Sequence, residues 1–187
     1  MIYADNASTT KISDSVLEKM LPYLREEFGN ASNLYSFGMR SKHAIEKARQ
    51  QVANLIDALP EEIIFTSGGS EGNNWILSSI VSGHIITSSI EHHSILNVCH
   101  DLENRGIPVT YLPVNECGLV SIEDVKNAIR EDTKLVSIMF ANNEIGTIQP
   151  IAEIGKLLHK RGVLFHTDAN KSSEKPQQIF QKKSYYL

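Results

Sequence analysis

The chain has 187 residues, 41% of them hydrophobic, which is enough for one sizeable buried core and argues against disorder. Its 18 basic and 22 acidic residues leave a net charge of -4 and form no basic run that would follow a phosphate backbone or an anionic membrane, so neither direct nucleic-acid binding nor membrane binding is expected.

Taken in chain order, Leu17, Met20, Leu21 and Leu24 recur at helical spacing after the capping candidates Ser13 and Asp14, and Pro22 should kink or end that run. Gly29-Asn30-Ala31-Ser32-Asn33 has turn chemistry. Ile45, Ala48, Val52, Leu55 and Ile56 then mark one face of a long helix. From Glu62 onward, short apolar runs alternate with helical segments, the pattern of a parallel sheet covered by helices. The expected strands are Ile63 to Thr66, Ile85 to Ser88, Val109 to Leu112, Leu135 to Phe140, and Val163 to Phe165. Their starts lie 22 to 28 residues apart, which suits strand-helix-strand units. Gly106 and Gly162 follow Arg105 and Arg161 as left-handed residues after a last helical turn, and Ser121 followed by Glu123 and Asp124 predicts a capped helix start. The polar segment from Lys171 to Leu187 breaks this rhythm and is expected to be irregular.

No apolar stretch reaches the ~20 residues that span a bilayer, and Met1-Ile2-Tyr3-Ala4-Asp5 lacks the basic and apolar segments of a leader, so a cytoplasmic location is expected. Cys99 and Cys117 form no Cys-Xaa-Xaa-Cys arrangement and read as reduced structural thiols.

In an open parallel sheet ligands bind beyond the carboxyl ends of the strands, so the residues after each apolar run carry the functional signal. Ser67-Gly68-Gly69-Ser70-Glu71-Gly72 opens a helix, where free N-H groups and the hydroxyls of Ser67 and Ser70 can form an anion site that a phosphate would fit; an ordinary strand-to-helix turn is the plainer reading. Ser89-Ile90-Glu91-His92-His93-Ser94 puts two imidazoles at the mouth of the sheet, able to stack on a flat cofactor, to exchange protons, or simply to cap a helix. Metal-ligand spacing is absent there, and no metal is expected. Ala141-Asn142-Asn143-Glu144 places an amide pair after an apolar stretch, which also suits a plain loop. His166-Thr167-Asp168 ends the last run in a carboxylate that can cap a helix or pair with a protonated ring nitrogen. A phosphate cradle, a stacking imidazole, an amide donor and a carboxylate on one rim make up the protein side of a pyridoxal-phosphate site.

Tyr3-Ala4-Asp5-Asn6-Ala7-Ser8-Thr9-Thr10, Phe28-Gly29-Asn30-Ala31-Ser32, Ser36-Phe37-Gly38, Ile63-Ile64-Phe65-Thr66-Ser67-Gly68, Ile90-Glu91-His92-His93, Ala141 to Ala152, and His166-Thr167-Asp168-Ala169 follow one another in the chain. In this order the motifs resemble those of the cysteine desulfurases of the class V aminotransferase family. The resemblance runs from Met1 to about Ala169. It implies an α/β fold, a mainly parallel sheet with helices on both faces, of the fold type I large domain. It also implies a division into a 1–14 segment on the small-domain side, an incomplete pyridoxal-phosphate-binding domain over 15–169, and a divergent tail over 170–187.

By the same resemblance Gly69 and Ser70 bind the cofactor phosphate, although the family more often has Ala-Thr there. His92 is the catalytic residue, stacking on the pyridine ring and moving protons. Asn143 bonds the phenolic oxygen, and Asp168 pairs with the pyridinium nitrogen. The implied reaction removes sulfur from L-cysteine, giving L-alanine and an enzyme persulfide whose sulfur passes to an acceptor or scaffold protein for iron-sulfur clusters or thiolated tRNA. A homodimer is implied for the full-length form. Selenocysteine lyase, another class V relative, or a non-catalytic interaction module are the alternatives.

The departures lie downstream. In the family a lysine in a Ser-Xaa-His-Lys segment holds the cofactor and a cysteine on a mobile loop takes the sulfur; this sequence has neither, and Lys171 stands where the family has a glutamine. The codons for Glu174 to Gln178, read one nucleotide earlier, can spell the family's Gly-Lys-Thr-Pro, which fits a shifted reading frame. The expectations are therefore that the chain is an N-terminal part, inactive by itself, with a sheet edge and apolar helix faces uncovered and a tendency to aggregate.

Overall fold

The computed structural model describes residues 2–6 and 8–170 and divides the chain into two compact units, Met1–Ile64 and Phe65–Leu187. The expected irregular tail, with Lys171 and the segment from Glu174 to Gln178, falls outside the described residues.

In the first unit, α1 spans Asp14–Arg25 and α2 spans Ser36–Ile56, followed by a single 3-10 turn at Pro60–Glu62. Pro22 lies inside α1 and does not end it, since the helix runs on to Arg25. The helical periodicity is correct, but α1 buries none of its residues, and Leu17, Met20 and Leu24 remain exposed. The Gly29 to Asn33 segment turns as expected, with Asn30 Oδ1 accepting from Ser32 N at 2.9 Å. The expected strand from Ile63 to Thr66 is not one: it is not among the strands of the described residues. Its first residue is satisfied otherwise, Ile63 N donating to Pro60 O and Ile63 O accepting from the Arg49 guanidinium.

In the second unit, α3 (Gly69–Ser78), β1 (His84–Ser88), α4 (His93–Asn104), β2 (Val109–Leu112), α5 (Ile122–Ala128), β3 (Thr133–Ser137), α6 (Ile151–Arg161) and β4 (Leu164–His166) follow in order. The four strands among the described residues form one parallel sheet in the order β2-β1-β3-β4. Parallel neighbours need a crossover, and the intervening helices supply it. The period of two along each strand then sends alternate side chains to opposite faces. Ile85 and Leu135 join Leu77, Ile95, Cys99 and Leu102 of α3 and α4 on one face. Ile86 and Val136 join Val125, Ile154 and Leu158 of α5 and α6 on the other, so helices cover both faces as expected.

The fourth expected run outlasts its strand. β3 ends at Ser137, yet Ile138 N and Phe140 N still reach the carbonyls of His166 and Asp168 at 3.1 and 2.9 Å, which fixes the segment that lines the site. Gly106 and Gly162 adopt φ of 86° and 67° after α4 and α6, the left-handed conformation that a side chain would strain. Ser121 caps α5 by accepting from Asp124 N at 3.4 Å. The chain leaves β1 toward β2 and then returns to the far side for β3 and β4, so the switch point lies between the ends of β1 and β3.

Candidate functional site

Helix α3 starts where Gly68 takes an extended conformation, and its carbonyl accepts Glu71 N and Gly72 N at 3.1 and 3.3 Å. The earlier N-H groups of Gly69 and Ser70 precede the first intrahelical bond, as at any helix start. Ser67 does not serve the anion site in the expected way. Its N-H and its hydroxyl both donate to Glu71 Oε2 at 2.6 Å, and these bonds hold the Glu71 carboxyl below the usual carboxylate range. The hydroxyl available at this turn is that of Ser70.

After β1, His92 caps α4, its Nδ1 accepting the Ser94 N-H at 3.1 Å and lying 2.8 Å from Ser94 Oγ. The capping role and a place at the sheet mouth thus belong to one residue, because the N-terminus of α4 lies at the switch point. The asparagine pair after β3 divides its labour. Asn142 is buried, donates to Ile90 O at 3.0 Å, and accepts the N-H groups of Glu144 and Ile145 at 2.8 and 3.1 Å. With Asn142 locked into the loop, Asn143 is left to face the site.

After β4, Asp168 Oδ2 accepts from Asn73 Nδ2 at 2.9 Å and Oδ1 accepts Asn170 N at 3.1 Å. Gly69, Ser70, His92, Asn143 and Asp168 all line one cleft of about 240 Å3, together with Ser94, Met139, Ala141 and Asn170. The five residues come from four separate segments of the chain. Among the described residues no group of three or more His, Cys, Asp or Glu side chains could hold a metal ion, and no helix is long and apolar enough to cross a membrane.

Beside this cleft sits a carboxyl that sequence reading passed over. Glu91 is 5% exposed, and its Oε1 accepts Ser88 Oγ at 2.5 Å and Met139 N at 3.0 Å, while Oε2 has no partner. Burial pushes its pKa up to about 7, and the nearby Asp168 charge pushes the same way. Asn73, Ser94 and Asn170 were also missed. For Asn73 a signal existed: it precedes Leu77 by one helical repeat, and both are buried on the same face of α3. Ser94 follows the cap His92 by two residues, where a donor to the cap is expected. Glu91 and Asn170 carried no such signal, since the contact of Glu91 with Met139 and the approach of Asn170 to Gly69 come only from tertiary structure.

The family model described as Aminotransferase class-V matches residues 2–182. The chain is 53% identical over 174 residues to the cysteine desulfurase IscS of Methanosarcina thermophila, and 50% identical over 177 residues to the mitosomal cysteine desulfurase of Encephalitozoon cuniculi. Each alignment takes in 90% of this chain, but only 43% and 41% of those proteins, so the chain spans less than half the length of these curated relatives. Among solved structures, SspA in complex with cysteine matches with a TM-score of 0.86 at 41% identity, over 89% of this chain and 50% of that one. DndA from Streptomyces lividans matches with a TM-score of 0.84 at 37% identity, over 96% of this chain and 52% of that one. With a parallel sheet whose switch point gathers these residues, and with a family match running over nearly its whole length, this chain belongs to the class-V aminotransferase family.

Proposed function

We propose that this chain supplies the cofactor side of a pyridoxal-phosphate-dependent cysteine desulfurase. The observation that carries the reading is the convergence of Gly69, Ser70, His92, Asn143 and Asp168 on one cleft. Their chemistry fits the cofactor. The start of α3 with the Ser70 hydroxyl suits a phosphate, Asn143 suits a phenolic oxygen, and a carboxylate anchored by two donors suits a ring N-H. When bound, pyridoxal phosphate supplies an electron-withdrawing ring that draws electrons away from the substrate carbon.

The chain's own residues orient and hold protons around that ring. Asp168 would keep a proton at the ring nitrogen, because Asn73 and the Asn170 N-H fix the direction of its carboxylate. Gly69 and Ser70 would bind the phosphate. His92 would lie against the ring and exchange protons with the ligand. Residues 15–169 form the cofactor-binding domain in this reading, with 1–14 on the small-domain side.

The proposed substrate is L-cysteine, and the proposed products are L-alanine and a persulfide for iron-sulfur cluster assembly or tRNA thiolation. The names of the relatives and the cysteine complex of SspA support this. A sulfur-acceptor or scaffold protein, a homodimer and a cytoplasmic location complete the proposal, although one relative is mitosomal. Turnover needs more than these 187 residues. They contain no Ser-Xaa-His-Lys segment, Cys99 is buried, and Cys117 is not part of the cleft.

The test is a titration of the chain with pyridoxal phosphate, followed by absorbance, with Asp168→Ala and Ser70→Ala as comparisons. Saturable binding that weakens about tenfold in each variant, a change of about 1.4 kcal/mol, supports the reading. Absence of saturable binding, or binding indifferent to both substitutions, refutes it.

A further inference from the structure

Four side chains along the cleft form one line of hydrogen bonds whose direction is forced by chemistry. Asn73 Nδ2 lies 2.9 Å from Asp168 Oδ2 and 2.9 Å from Ser94 Oγ, and Ser94 Oγ lies 2.8 Å from His92 Nδ1. A carboxylate only accepts, so the Asn73 amide must turn its nitrogen to Asp168, and the same nitrogen reaches Ser94. Both Asn73 protons are then used, one on each acceptor. Ser94 Oγ therefore accepts from Asn73, and its single proton goes to His92 Nδ1. The Ser94 backbone N-H donates to that same ring nitrogen at 3.1 Å.

Two donors converge on Nδ1, which must be unprotonated, so a neutral ring carries its proton on Nε2. We propose that Ser94, itself oriented by Asn73 and Asp168, is a positioning residue that fixes His92 as the Nε2-H tautomer, so that the ring meets a bound ligand as a hydrogen-bond donor. Asn73 is 4% exposed, so water does not compete for its amide and the direction of the line is held. For His92 to receive a proton at Nε2, its own proton must first move to Nδ1, where it meets the N-H and the O-H of Ser94. His92 thus starts as a donor to an acceptor oxygen of the ligand, and a proton reaches Nδ1 only if the Ser94 hydroxyl turns away and the ring leaves the Ser94 backbone N-H. The inference rests on the reading of His92 as a proton-handling residue of the cofactor cleft, but the tautomer is defined without cofactor.

The experiment is a long-range proton-nitrogen correlation spectrum of the histidine rings in this chain, without cofactor and at a pH where His92 is neutral. It is recorded for the wild type, Ser94→Ala, Ser94→Thr and Ser94→Pro. Ser94→Ala removes the hydroxyl donor. Ser94→Pro also removes the backbone donor, in the first helical turn where proline is tolerated. The wild type is expected to show the Nε2-H form, and the Nδ1-H share should rise about fivefold for the loss of a hydrogen bond, more in Ser94→Pro than in Ser94→Ala, with Ser94→Thr like the wild type. A wild-type ring protonated mainly on Nδ1, or equal populations in the wild type and Ser94→Pro, overturns the proposal. Loss of pyridoxal-phosphate binding with the tautomer as expected would instead refute the functional reading and leave this one standing.

Discussion

Glu91 Oε1 accepts the backbone N-H of Met139 across 3.0 Å, tying the loop after β1 to the segment that continues β3 beside the cleft. The carboxyl that makes this contact is buried, and its other oxygen has no partner. Its pKa is raised from 4.5 to about 7, so between those values the folded chain holds a proton that the unfolded chain has released. The stability this proton confers is full below about pH 4.5, falls as pH rises, and is lost above about pH 7; the span is on the order of 3 kcal/mol. Glu91→Gln keeps an acceptor for Met139 and cannot ionise. Denaturant melts from pH 4.5 to 8 should show a falling slope in the wild type that is flattened in the variant, with the variant more stable at pH 8. Parallel curves would show that Glu91 is not the titrating group.

The two thiols should differ sharply in reactivity. Cys99 is fully buried and its pKa is pushed up to about 12 by burial first, with the Glu91 and Glu103 charges adding to it, whereas Cys117 is exposed. Alkylation needs thiolate and access, so iodoacetamide at pH 8 should label Cys117 in the native chain and Cys99 only after unfolding. Mass-mapped native labelling of Cys99 at a comparable rate would contradict this environment.

Gly69 and Asn170 should behave as a coupled pair. A Cβ at Gly69 would fall 1.9 Å from Asn170 Nδ2, so Gly69→Ala obliges that side chain to move. Against Asn170→Ala the obstacle is gone, and alanine in place of glycine in the helix should stabilise by about 0.5–1 kcal/mol. Melts of the two single variants and the double variant should therefore be non-additive, Gly69→Ala being more favourable in the Asn170→Ala background. Additive effects would mean that the two do not meet.

Asn142 and Asn143 should separate stability from binding. Asn142→Ala removes the acceptor of two backbone N-H groups and the donor to Ile90 O, and should cost about 1–3 kcal/mol in a denaturant melt. Asn143→Ala should leave the melt nearly unchanged and weaken pyridoxal-phosphate binding several-fold. The reverse pattern would exchange the assigned roles of the two asparagines.

Much of the architecture was legible beforehand. Apolar runs at Ile85, Val109, Leu135 and Val163 became β1 to β4, each starting within two residues of the strand, because a strand buried on both faces needs a continuous apolar run. The run at Ile63 misled for the same reason: apolar composition suits a strand, but a ladder partner has to exist, and Pro60 and Arg49 satisfied its first residue instead. The helical stripe of α1 predicted a helix correctly, and its apolar face stays exposed, since periodicity describes a face and not what covers it.

The sequence by itself determined the family and the alternation of strands and helices, and it singled out five residues that the fold brings to one cleft, since short-range patterns and motif order carry that information. Tertiary structure alone decided which distant neighbours these segments received: Asn142 donated to Ile90 O, Glu91 reached Met139 N, and Asn73 of α3 met Asp168 beyond β4. Hydrogen-bond direction and pKa depend on atoms brought within about 3 Å and on the exclusion of water, and residues 95 positions apart acquire that relation only when the sheet closes its switch point.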